Sequence, residues 1–300
     1  MSARFLDPQV LARIDGLELL ARTVVEGFIS GLHQSPYHGL STDFAEHRPY
    51  LPGDDIRRVD WRLWGRTDRF YVKEFEADTN ANVVVLLDVS RSMAYGRTGV
   101  TKLDYGRYLA ATLLYLSRRQ RDRVGLVTFD RDVREVVPPS ARHLERALHA
   151  LERVEPGGPG GGGGTLGPPL ARVMATIRRR SIMILISDLY EPPDALAESI
   201  GVLRGAGSDV IVFHVLDPSE RAFPFDEPAP FEDLETGERM PVVPGDQAER
   251  YRALIEEHLA TVARRMSETG LDYELTMTDR PLDYALLEYL TRRRALTRVR

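Results

Sequence analysis

Four short apolar runs, Val83–Leu87, Arg123–Phe129, Ile182–Ser187 and Asp209–Leu216, constrain this chain more than any other feature. Each has the length and β-branched content of a strand, and helix-period segments separate them: Leu103 to Arg119, Ala141 to Val154, Leu166 to Arg179 and Asp194 to Arg204. Strands that are apolar throughout, with no polar alternation, must be covered on both faces, which is the habit of a parallel sheet. Right-handed crossovers then predict an α/β fold with a doubly wound, mostly parallel sheet of Rossmann type. Val133–Val137 reads as a short edge strand. Asp217 to Asp246 interrupts the rhythm with proline and acid, and Glu235-Thr236-Gly237-Glu238 has the composition of a hairpin turn. A helix over Gln247 to Thr269, a strand over Leu271–Met277 and a helix over Pro281 to Arg293 complete the pattern. Arg292-Arg293-Arg294 falls in that helix's expected last turn, where it complements the dipole.

The amino-terminal part is different in kind. Leu6 to Leu32 carries apolar residues at helical spacing, with Gly16 and Gly27 as weak points. Ser35 to Asp78 is dense in prolines, charges and aromatic residues, too aromatic for disorder, and ends in an expected strand over Arg69 to Phe75. Two units are therefore expected: residues 1–80, a small helix-plus-irregular module, and residues 81–300, the α/β domain. The chain has no cysteine, which removes disulfides, thiolate metal sites and cysteine nucleophiles. Its net charge of −5 gives nucleic acid no reason to bind. No apolar run approaches the roughly 20 residues that span a bilayer, so no transmembrane segment and a cytoplasmic location are expected. Of the 40 basic residues only Lys73 and Lys102 are lysine, leaving few candidates for a Schiff base or a phosphate-gripping ammonium.

Chemistry concentrates where the first strand ends. Asp88-Val89-Ser90-Arg91-Ser92 follows the apolar run directly, so a carboxylate and two hydroxyls emerge at a strand's carboxyl end, where open α/β sheets place their ligands. Thr165, after the glycine run Gly157 to Gly164, and Asp188, at the end of another apolar run, occupy corresponding places. Short oxygen ligands suit a hard cation, Mg²⁺ or equally Mn²⁺. The glycine run is no nucleotide loop, because Thr165 follows Gly164 without the required lysine. Ser90 stands where an aspartyl phosphatase would place its second aspartate, and the serines lack a Gly-x-Ser-x-Gly elbow. A metal-dependent hydrolase, phosphatase or esterase, is the alternative to a non-catalytic binding site.

Asp88, Ser90, Ser92, Thr165 and Asp188 together resemble the metal-ion-dependent adhesion site (MIDAS) of von Willebrand factor A domains. The resemblance implies direct metal binding by Ser90 and Ser92, a direct or water-mediated role for Thr165, and ordered waters held by Asp88 and Asp188. It also implies a vacant coordination position for an acidic residue of a protein client. A second dense stretch contains Arg48, Tyr50, Pro52-Gly53-Asp54-Asp55, Arg57 and Asp60-Trp61. It is read either as a salt-bridged structural module or as a docking surface, with Arg48, Tyr50, Asp54, Asp55, Arg57, Asp60 and Trp61 as the interface residues. With Ser187-Asp188-Leu189 and Phe231 to Glu238, this stretch is similar to the bacterial family known as domain of unknown function 58, over roughly residues 30 to 292. That resemblance implies a divalent-cation-dependent adaptor that works with an AAA+ ATPase of the MoxR type in protein remodelling or complex maturation.

Overall fold

The computed structural model describes residues 7–34, 47–49, 61–67, 69–73, 81–97, 99–157, 165–234 and 236–298. In chain order the elements are α1 (Pro8–Leu11), α2 (Leu17–Gln34), β1 (His47–Pro49), α3 (Trp61–Thr67), β2 (Tyr71–Lys73), β3 (Asn82–Asp88), α4 (Lys102–Arg119), β4 (Arg123–Phe129), β5 (Val133–Ser140) and α5 (Leu144–Glu152). There follow α6 (Gly167–Thr176), β6 (Ile182–Ser187), α7 (Pro193–Gly201), β7 (Asp209–Leu216), α8 (Pro218–Ala222), β8 (Ala229–Glu232), β9 (Arg239–Val242), α9 (Pro244–Glu268), β10 (Asp272–Met277) and α10 (Leu282–Arg298). Six strands form one sheet in the order β10-β7-β6-β3-β4-β5. All pairings are parallel except β4 with β5, which is antiparallel. The fold is the expected mixed α/β one.

Continuous apolarity in β3 has a direct cause. Val83, Val85 and Leu87 face a core shared with α2, α4, α5 and α10, while Val84 and Leu86 face a second core under α6, α7 and α9. From Val83 to Asp88 every side chain of the strand is therefore buried, whichever way the pleat points it. The chain runs outward from β3 in both directions, through β4 on one side and β6 on the other. The two neighbouring loops at the carboxyl ends of β3 and β6 thus open a crevice at the switch point, which places the site.

Several local expectations are corrected. The amino-terminal helix is broken: α1 and α2 are separated at Gly16, whose φ of +89° a side-chain-bearing residue avoids. Leu17, at the start of α2, donates its N–H to Glu152 Oε1 at 3.2 Å. Leu20, Val24, Val25 and Phe28 of α2 are buried in the sheet's own core, each stabilising the packing by about 1.5–3 kcal/mol. Of the strand expected over Arg69 to Phe75, Tyr71–Lys73 pairs with His47–Pro49, while Glu74 and Phe75 lie outside the described residues. The edge strand β5 runs on to Ser140, and α10 continues past Arg293 to Arg298. Consequently Arg292 and Arg293 are not a dipole-complementing tail: Arg292 bonds Asp272 at 2.9 Å, and Arg293 is buried against Asp122. Among the described residues no helix is long and apolar enough to cross a membrane.

Candidate functional site

Asp88 is the last residue of β3, and its carboxylate is fixed by two neutral donors. Oδ1 accepts the N–H of Ser90 at 2.8 Å, the local turn that a short acid forms with its own chain. Oδ2 accepts the hydroxyl of Ser187 at 2.6 Å, from the end of β6. Val89 still bonds β4 through its N–H to Phe129 O at 2.7 Å. The following 3₁₀ turn, Arg91–Ala94, buries Met93 completely. That anchor turns Ser90 and Ser92 to the same side, with their Oγ atoms 3.1 Å apart.

The other two loops are stitched to this one. Gly157 donates to Val89 O at 2.7 Å, and a Cβ added there would come within 3.3 Å of Asp130 Oδ2. The glycine run thus begins pressed against the first loop; residues 158–164 lie outside the described residues. Beyond them, Leu166 donates its N–H to Glu191 Oε1 at 2.6 Å, which fastens the Thr165 loop to the Asp188 loop. Leu189, next to Asp188, is buried in the left-handed region at φ 51°. A branched residue held there costs on the order of 1–3 kcal/mol, strain of the kind that collects at functional loops. Its N–H bonds Ser187 Oγ at 3.2 Å. Asp88, Ser90, Ser92, Thr165 and Asp188 all line one cavity of about 110 Å³, together with Ser187, Asp130 and Arg131.

Sequence reasoning overlooked the cation of this rim. Lys102, at the start of α4, is fully buried and donates to Asp188 Oδ2 at 2.8 Å and to Glu220 Oε1 at 2.7 Å. The Tyr190 ring lies 4.6 Å from its ammonium. Burial alone would lower the lysine's pKa, but Asp188 and Glu220 outweigh it and the pKa is raised, so the group is charged. Glu220 also accepts the Tyr190 hydroxyl at 2.6 Å and the Asp217 N–H at 2.8 Å. Thr101, which caps α4 through Asp104, is a visible helix-start signal. Nothing in the sequence pairs the next residue with partners 86 and 118 positions away.

Among the described residues, Asp88 has no such counter-ion. Burial, and then the charge of Asp188, push its carboxyl up to about 7. Next along the sheet, burial pushes His214 down to about 4, so its ring is neutral and bonds Tyr273 Oη through Nδ1 at 2.8 Å. Asp188 and Glu220 thus share one ammonium, and Asp88 stands beside them on neutral donors. Among the described residues no cluster of three or more His, Cys, Asp or Glu is arranged to hold a metal. An ion here would rely on hydroxyls and water beside the carboxylates.

The second group of predicted residues falls mostly outside the described part of the chain. Tyr50, Asp54, Asp55, Arg57 and Asp60 lie outside the described residues; Arg48 is in β1 and Trp61 opens α3, with only their backbone described. Among the described residues, the insertion between β7 and α9 meets the rim. Arg91 faces Glu232 at 3.8 Å, Tyr95 Oη meets Ser219 Oγ at 2.8 Å, and Arg97 donates to Asp217 and to Pro224 O. The expected turn at its tip joins β8 to β9, with Gly237 at φ 76°.

Comparison with known proteins relates the chain to a family. The family described as "Protein of unknown function DUF58" matches residues 46–264. An uncharacterized protein of Mycobacterium tuberculosis is 26% identical over 292 residues, 96% of this chain and 91% of its own. Among solved structures, the conserved hypothetical protein BatB from Bacteroides thetaiotaomicron is 17% identical with a TM-score of 0.48, covering 72% of this chain and 98% of BatB. The SpRpn10 VWA domain is 11% identical with a TM-score of 0.38, covering 68% of this chain and 92% of that domain.

Proposed function

The chain belongs to the DUF58 family, and from that premise we propose that it is a protein-binding adaptor whose rim takes a divalent cation, Mg²⁺ or Mn²⁺. The observation that carries this reading is the pair of rim hydroxyls. Ligands on adjacent corners of a Mg²⁺ octahedron with bonds of about 2.1 Å lie about 3.0 Å apart, and Ser90 Oγ and Ser92 Oγ, hydrogen-bonded to each other, already stand at 3.1 Å. The electrostatics agree. Asp88 is a buried acid with neutral partners only, and Asp188 already shares its lysine with Glu220. A dication relieves that excess of negative charge without a change in the fold.

Ser90 and Ser92 would hold the ion directly, Thr165 would close the site, and Asp88 and Asp188 would orient its waters. When bound, the ion supplies an electrophilic position that a carboxylate of a client can fill. The chain's residues do the rest: Ser187 and the Ser90 N–H orient Asp88, Lys102 orients Asp188, and Arg131 stands at the mouth of the cavity. The arrangement favours binding over catalysis. Both Asp88 oxygens are occupied, Lys102 is held by two acids, and His214 is engaged with Tyr273. The partner implied by the family resemblance is a MoxR-type AAA+ ATPase, with the client's acid at the rim.

Titration calorimetry with Mg²⁺ and Mn²⁺ on the wild-type chain and Asp88→Ala tests the ion. Binding in the first and none in the second is expected; equal heats in both would end the reading. Pull-down of the ATPase with and without chelator tests the adaptor role, capture that ignores the chelator arguing against it. Turnover of a phosphate or acyl ester that is lost in Asp88→Asn would replace the adaptor with the hydrolase.

A further inference from the structure

The opposite end of the sheet carries a second concavity of about 580 Å³. It lies where β3 and β4 begin, about 20 Å of strand away from the rim, so it shares no residue with the candidate metal site. Four arginines line it: Arg123 at the start of β4, Arg142 just after β5, and Arg178 and Arg179 between α6 and β6. No aspartate or glutamate lines it, and none of the four arginines makes an ion pair among the described residues. Arg178 reaches only a carbonyl, Ala175 O at 3.4 Å.

The contrast with neighbouring arginines is specific. Arg153 is matched to Glu135, Arg172 to Asp132, and Arg180, adjacent to Arg179, to Asp209. A chain with a net charge of −5 has acid to spare. It nevertheless gathers four arginines around one hollow with no acid in its lining. Guanidinium forks are suited to planar oxyanions, which they bind in pairs of parallel hydrogen bonds.

We propose that this groove is a docking site for an acidic protein segment, a short run of aspartate or glutamate side chains. The volume is that of a ligand-sized site. Between the arginines the walls are Val136, Pro138, Pro139 and Ile177, apolar surface for the methylenes and backbone of such a segment. Pro138 and Pro139 lack N–H groups, so the groove cannot recognise its ligand by extending the sheet there, and recognition falls to the arginine forks. Nucleic acid fits less well: the lining has no aromatic ring on which a base could stack, and the acidic chain as a whole repels a long polyanion.

Fluorescence anisotropy with a labelled octaglutamate peptide tests the assignment, with chelator present so that a metal-loaded rim contributes nothing. The expected result is saturable binding by the wild-type chain that weakens steeply with added salt. Arg142→Glu combined with Arg178→Glu, both at exposed positions, is expected to bind about tenfold more weakly with an unchanged melting temperature. If that variant is unstable, the neutral pair Arg142→Ala and Arg178→Ala is expected to lose part of the affinity in the same direction. Asp88→Ala is expected to bind the peptide as the wild type does. The proposal is overturned if the peptide does not bind, or if the arginine variants bind it undiminished. It is equally overturned if pyrophosphate or a single-stranded oligonucleotide displaces the peptide at lower concentration than unlabelled octaglutamate does.

Discussion

Two buried charge clusters in this molecule are built on opposite plans. Under α10, Arg293 meets Asp122 within a set of further bonds: Arg293 also bonds Tyr289 Oη at 3.0 Å, Tyr289 Oη meets Ser117 Oγ at 3.0 Å, and Asp122 accepts the Ala81 N–H at 3.0 Å. At the rim, Lys102 serves Asp188 and Glu220 together, while Asp88 relies on neutral donors. The first cluster is balanced and holds β3, β4 and α10 in place. The second carries surplus negative charge in a dry setting, which costs stability unless something positive joins it. That difference separates a cluster that serves the fold from one that, under the proposed function, a cation would complete.

Breaking the balanced cluster has the largest expected effect. Arg293→Ala leaves Asp122 buried without its cation, and a loss of about 3–5 kcal/mol is expected in urea unfolding, with no change in the response to Mg²⁺. A loss below about 1 kcal/mol would show that the pair is hydrated and the comparison misplaced. Lys102→Met comes next. In chelator it is expected to lose on the order of 3 kcal/mol, because Asp188 and Glu220 then face each other unpaired. Unlike Arg293→Ala, it is expected to recover part of that loss when Mg²⁺ is added, since the ion replaces the missing charge. If Mg²⁺ stabilises it no more than the wild type, Lys102 and the ion do not share Asp188.

How much of this was legible in sequence depends on how local the signal is. The Asp88 to Ser92 motif, Thr165 and Asp188 could be found because each sits at the end of an apolar run or a glycine run, and parallel strands joined by crossovers bring their carboxyl ends to one edge of the sheet. The sheet strands at Arg123–Phe129, Ile182–Ser187 and Asp209–Leu216 fall where their apolar content put them. Lys102 was overlooked because a lysine in a first helical turn reads as solvated; only the tertiary fold brings Asp188 and Glu220 to it. Arg293 was misread for the same reason, as the tail of a helix that in fact continues to Arg298. The insertion was recognised as a hairpin, but its attachment to the rim through Arg91, Tyr95 and Arg97 depends on pairs more than a hundred residues apart.

Asp88→Asn inverts the usual sign. Its carboxyl titrates near 7 in the folded chain against 3.8 in the unfolded one, so the stability linked to its proton is complete below about 4 and is lost as pH rises through about 7. His214 runs the other way: lowered from 6.5 to about 4, it contributes above about 6.5 and is lost as pH falls through about 4. Between those limits the two slopes oppose each other, and the metal-free wild type should show a nearly flat profile. Asp88→Asn removes one slope. Melting temperature in chelator is then expected to rise from pH 4 to 6.5, and at pH 8 the variant is expected to exceed the wild type by about 1–2 kcal/mol while failing to respond to Mg²⁺. A variant less stable than wild type at pH 8 would mean that Asp88 is a structural acid, balanced like Asp122.

The smallest effect on folding is expected at Thr165, which is exposed and makes its contribution only at the cavity wall. Thr165→Ala should change unfolding stability by less than about 0.5 kcal/mol, in contrast to every buried member of the rim. Its hydroxyl still matters if it closes the coordination shell, so Mg²⁺ affinity by calorimetry should fall several-fold while Thr165→Ser retains it. Equal affinity in all three chains would leave the ion to Ser90, Ser92 and the two aspartates. The Thr165 loop, fastened through Leu166 and Glu191, would then shape the cavity and take no part in holding the ion.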